Sequence, residues 1–161
     1  MTTVNTNYMN SSHQFGGTPF GNRSQLDFNL TTDASGIATK TDLTTAIGST
    51  DVIRLGVLPK GFRIDDCIAT VSVAFAGSTT CSLGIQYVDG VDLASPNAQD
   101  AAYLIAGSTS LASTAIIRKT GIKAPITLQK DAYLILTMAG AAQTTTAVLD
   151  VSVLGVLTGG N

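Results

Sequence analysis

The sequence predicts an all-β domain, and three observations carry that prediction. Beyond residue 22 the apolar residues recur with period two over short runs, as in Leu26, Phe28 and Leu30 or Cys81, Leu83, Ile85 and Tyr87. Gly, Pro, Asp and Ser turn signals bound these runs at spacings of about 8–12 residues, and no stretch requires a helix. Charged residues make up only 12% of the 161 residues, roughly half the usual share, and Thr and Ser stand in their place. Thr is β-branched, so it suits a pleated strand, and its hydroxyl suits a solvated face. The length fits one domain with an ordinary core that needs neither disulfide nor metal.

Residues 1–22 differ from the rest: they are rich in Asn, Ser, Thr and Gly, have no hydrophobic period, and hold isolated large side chains at Tyr8, Met9, Phe15 and Phe20. Such a stretch cannot bury enough apolar surface to offset its ordering entropy, so a flexible N-terminal arm is expected over 1–22 and a β-domain over 23–161. Extended, the arm reaches at most about 75 Å, against a domain radius of gyration of about 15 Å. It is therefore long enough to cross a neighbouring subunit, with Tyr8, Met9, Phe15 and Phe20 as anchors for a partner.

Within the domain, Leu26 to Leu30 alternates as a strand, and Asp33 to Gly36 supplies a turn. Ile37 to Gly48 is ambiguous, since Asp42, Leu43, Ala46 and Ile47 also suit one helical turn. Val52 to Leu58 reads as a strand stopped by Pro59, and Pro59-Lys60-Gly61 as a type II turn with Pro presetting φ. Phe62 to Phe75 follows as a long strand, with Cys67, Ala69, Val71, Val73 and Phe75 inward from its middle onward. Thr80 to Val88 is its hairpin partner across Gly77 and Ser78, and Asp89-Gly90 closes it. That register holds Cys67 and Cys81 too far apart to pair, so two free, mostly buried thiols are expected. Tyr103 to Ala106 and Ala115 to Arg118 are short runs separated by a Gly107 to Ser110 spacer. Ile126 to Leu128 and Tyr133 to Met138 form a hairpin about Gln129-Lys130-Asp131, and Ala147 to Leu157 is the last strand. Seven to nine such strands indicate a sandwich or closed barrel, whose uncharged edges need covering.

Most chemistry is excluded by inventory. The net charge is −2, the nine Lys and Arg are scattered, and there is no Glu, so no basic stripe for nucleic acid exists. No apolar run approaches a membrane span, and the first twenty residues lack a secretion signal, which places the chain in the cytoplasm after synthesis. The one imidazole, His13, falls in the arm, where it cannot serve a nucleophile-activating pair. Asp65 and Asp66 are strand neighbours that point to opposite faces unless a bulge intervenes. Asp89, Asp92 and Asp100 offer oxygen ligands without a calcium-loop pattern, and two Cys with one arm His do not make a zinc site. We expect no catalytic residue, no metal and no cofactor.

Leu58-Pro59-Lys60-Gly61-Phe62-Arg63-Ile64-Asp65-Asp66-Cys67, the strand to Phe75, the turn Gly77-Ser78-Thr79-Thr80, and Leu83-Gly84 leading to Asp89-Gly90 together resemble a pattern of small structural proteins of tailed bacteriophages. Leu128-Gln129-Lys130-Asp131-Ala132-Tyr133-Leu134-Ile135-Leu136 is similar to the hairpin late in many jelly rolls. The resemblance spans about Val52 to Leu157 and is to head decoration or cement proteins. It implies a single jelly-roll β-sandwich that binds the capsid exterior, cements major capsid subunits, and self-associates as a homodimer or homotrimer, assembled in the host cytoplasm. An arm without charge is laid against protein at little desolvation cost. Two alternatives remain at the sequence level: a tail or spike jelly roll binding a glycan through Tyr87, Tyr103 or Tyr133, and a polysaccharide-cleaving enzyme built on Asp pairs.

Overall fold

The computed structural model describes residues 3–5, 23–120 and 123–158. Its strands are β1 (Thr3–Asn5), β2 (Arg23–Thr32), β3 (Val52–Leu58), β4 (Phe62–Val73), β5 (Thr79–Tyr87), β6 (Asp100–Ser110), β7 (Ala115–Arg118), β8 (Ile126–Thr127), β9 (Ala132–Gly140) and β10 (Ala147–Leu157). One sheet runs β1-β3-β9-β5-β6; the other runs β2-β10-β4-β7, with β8 also on β4. The β1–β3 pair is parallel and the rest are antiparallel. Without β1 and β8, two four-stranded sheets remain, joined by links that change sheet everywhere except the β5–β6 hairpin. This is the jelly-roll sandwich, two Greek keys packed face to face. The predicted all-β class and the sandwich are both realised.

Period two decides what is buried. Leu26, Phe28 and Leu30 of β2 and Leu149, Val151 and Val153 of β10 face Ile53 and Leu55 of β3 and Leu83 and Ile85 of β5 across the core. Two bulges in β4 correct the expected inward set. Ile64 pairs Gly155 and Asp66 pairs Leu154, so Asp65 is an extra residue that shifts parity before Cys67, Ala69 and Val71. Val71 then pairs Leu149 and Val73 pairs Val148, which makes Ser72 a second extra residue and turns Val73 outward, 42% exposed.

Two expected hairpins are instead sheet-crossing links. β4 and β5 lie in different sheets, and so do β8 and β9, because β8 pairs β4. Four of the crossings carry a buried apolar residue that plugs an open end of the sandwich: Ile47 between β2 and β3, Phe75 between β4 and β5, Leu111 between β6 and β7, Leu128 between β8 and β9. A solvated hairpin loop has no use for such a plug. The Ile37 to Gly48 stretch forms no helical turn; it is held by isolated bridges, Thr32 to Ala38 and Ile37 to Ala46. Gly107 to Ser110 is no spacer but the end of β6. In the Pro59 turn, the Phe62 amide donates to the Pro59 carbonyl at 3.1 Å, so Pro59 is the first turn residue. Gly61, at φ +80°, occupies the left-handed third position of a type II turn.

The link between β9 and β10 is plugged by a polar residue, Gln143, which is fully buried. Its Oε1 accepts from the Ala76 amide at 2.7 Å, and its Nε2 donates to the Thr145 carbonyl at 2.6 Å. Its own amide donates to the Ile47 carbonyl at 2.9 Å. The same end continues through the Phe75 amide to the Leu111 carbonyl at 3.0 Å. Gly36, at φ +77°, lies so close to the Gln143 carbonyl that a Cβ there would sit 2.1 Å from the oxygen. Replacing Gln143 by Leu keeps the volume but orphans the buried Ala76 amide. A loss of about 2 kcal/mol is expected, read by calorimetry as a Tm fall of about 4–8 °C, whereas Thr144→Ala, at an exposed position, shifts Tm by no more than about 2 °C.

Candidate assembly interface

The polar residues singled out by sequence do not converge. Asp65 binds Arg63 at 2.8 Å, and that hydrogen bond holds its carboxyl below the usual range. Asp66 turns its Oδ1 to the Cys67 amide, so the bulge sets the two carboxylates to separate tasks. Asp89 binds Lys130 at 2.7 Å, Asp100 binds Lys123, and Asp92 accepts from the Leu93 and Gln99 amides. Among the described residues no group of three potential metal ligands gathers. Cys67 and Cys81 are free and buried, in different sheets. His13 and the predicted arm anchors Tyr8, Met9, Phe15 and Phe20 lie outside the described residues.

The three described tyrosines do not form an open stacking platform. Tyr87 and Tyr103 are buried, with Lys130 and Lys119 over their rings at 5.6 and 4.7 Å. Their hydroxyls donate to the Asn97 and Ala124 carbonyls, and burial raises both pKa values. Tyr133 is half-buried on an outer face, and the Arg54 guanidinium covers it at 4.4 Å. A shallow cleft of about 360 Å³ beside Tyr103 is lined by Pro96, Gln99, Asp100 and Lys123, with the Asp100–Lys123 pair at its wall.

The two outer faces differ sharply in charge. On the β2-β10-β4-β7 sheet, Asp27, Asp150, Asp66 and Arg118 stand outward, and cross-strand bonds tie Asn29 to Asp150 at 2.7 Å and Ser152 to Asp27 at 2.6 Å. On the other sheet, register aligns Val52, Thr137 and Ser82 in one row, Arg54, Ile135 and Gly84 in the next, and Val57, Tyr133 and Gln86 in a third. Arg54 is the single charge in these rows. Its Nε and the Thr137 Oγ1 are shut from solvent without a hydrogen-bond partner among the described residues, a local cost to the fold. This nearly uncharged face ends at the β3 edge, where β1 pairs Thr3 with Val52, Val4 with Ile53 and Asn5 with Arg54. Sequence reasoning passed over Arg54 and Gln143, because neither stands in a motif and only the pairing register reveals what surrounds them.

No family model and no curated protein matches the sequence. Solved structures do match in fold. A chain in the capsid of Ralstonia phage GP4 superimposes with a TM-score of 0.65 at 17% identity, covering 96% of this chain and 97% of that one. A chain in the capsid asymmetric unit of cyanophage Pam1 gives a TM-score of 0.58 at 14% identity, covering 92% and 94%. The β-sandwich therefore shares its fold with single chains of two phage capsid structures.

Burial pushes both thiols up to about 12 from the ordinary 9.0. At pH 8 neither Cys67 nor Cys81 is expected to react with iodoacetamide in the folded protein, and both react in denaturant, as mass spectrometry will show. Since the folded values lie above the unfolded ones, the thiol contribution to stability is complete below pH 9 and is lost as pH rises towards 12.

Proposed function

We propose that this chain is a non-enzymatic structural protein of a phage virion that binds the outer surface of the capsid and cements neighbouring major capsid subunits. The match in fold to chains of two phage capsid structures, over more than nine-tenths of each chain, carries the reading. The face of Val52, Thr137 and Ser82 supports it physically. These three rows, with one charge among them, lose little hydration when covered. In this role the arm, with Tyr8, Met9, Phe15 and Phe20, adds extended contacts to a neighbour. Self-association as a dimer or trimer multiplies weak contacts by avidity.

Sedimentation of the purified chain with shells lacking it tests the proposal. The chain is expected to co-sediment. Ser82→Arg on the uncharged face, and deletion of residues 1–20, each weaken binding at least about tenfold, equal to about 1.4 kcal/mol. Asp150→Lys on the opposite face leaves binding unchanged. No binding by the parent chain, or equal binding by all variants, would overturn the proposal.

A further inference from the structure

The β1–β3 pairing has a geometry that does not require both strands to come from one chain. β1 is three residues long and parallel to β3, an arrangement that no tight turn can impose. It points towards the Leu58 end of β3 and stops beside Arg54. β2 begins at that same end, because Val156 pairs both Arg23 and Arg63, next to the turn joining β3 to β4. The two sheets stack about 10 Å apart, and four residues of strand span about 13 Å. A route from Asn5 to Arg23 within one chain therefore needs only about 20 Å. The 17 residues numbered 6–22 provide up to about 60 Å. That surplus exceeds what one sandwich uses and is enough to reach the equivalent β3 of an adjoining copy.

We propose that Thr3–Asn5 is an exchangeable strand that is donated to the β3 edge of a second copy of this chain, extending that copy's uncharged sheet. The partner's edge offers the same register, Thr3 to Val52 through Asn5 to Arg54, so exchange conserves every main-chain bond. The donor carries no charged side chain before Arg23, so seating it on Val52 and Arg54 brings no like-charged side chain to the edge. Mutual donation between two copies gives a two-fold exchanged dimer, and donation passed from copy to copy gives a ring where the rotation closes. The inference extends the self-association in the proposed function. It is tested on the purified chain alone, so that its failure leaves shell binding to be judged by sedimentation.

Two single variants, Thr3→Cys and Val52→Cys, are to be refolded together and treated with a short bis-maleimide. The buried native thiols, pushed up to about 12, do not compete at neutral pH. Exchange predicts a covalent species of two chains in the mixture but not in either variant alone. The pair Asn5→Cys and Arg54→Cys gives the same reading should the first pair fold poorly. If the mixtures yield no two-chain species while the corresponding double variants cross-link within one chain, the strand pairs only with its own β3 and the inference fails.

Discussion

The Gln143 carboxamide is the contact on which one end of the sandwich depends. In a jelly roll nearly every link crosses from one sheet to the other, so each end of the core is closed by links rather than by strands. At this end three links meet: the Ile47 carbonyl, the Ala76 amide and the Thr145 carbonyl all bind Gln143. The side chain plugs the core as Phe75 and Leu111 do, and it also satisfies main-chain groups that an apolar plug would leave unpaired. At the opposite end Leu128 performs the apolar version, its amide and carbonyl bonded to Phe62 and Gly61. With both ends sealed, the sandwich has no need of its outer faces for stability, and these remain available for contact with other molecules.

What the outer faces offer follows from how charge is distributed over the two sheets. The β2-β10-β4-β7 face spends its carboxylates on hydrogen bonds to neighbouring side chains such as Asn29 and Ser152, the pattern of a hydrated surface. The β3-β9-β5 rows of the opposite sheet hold one guanidinium, itself folded over Tyr133. The shortage of charge in the sequence is therefore not spread evenly but is concentrated on one side and in the first 22 residues, and β1 joins the two. In the proposed role, this is the side that meets the shell.

Much of the fold was legible in the sequence because period two marks which side of a strand is buried. Leu26, Phe28 and Leu30, the Cys81 to Tyr87 alternation, and the Ala147 to Leu157 strand are all inward as read. Strand partners were not legible in the same way. A Gly- and Ser-containing link looks alike whether it returns along the same sheet or crosses to the other, and the distinguishing signs, Phe75 and Leu128 inside the links, are single residues. The β4 bulges escaped for a related reason: Asp65 and Ser72 are extra residues only relative to β10. Of the site, the sequence indicated a surface rather than a pocket. Arg54 and Thr137 gain meaning only when β3 and β9 are placed in register.

The most direct test of the account is a cryo-electron microscopy map of the assembled particle at side-chain resolution. The account predicts copies of this chain on the outside of the shell, with the face of Val52, Thr137 and Ser82 against major capsid subunits and the Asp27 and Asp150 face towards solvent. Copies confined to the tail, or seated on the shell through the Asp27 and Asp150 face, would contradict it.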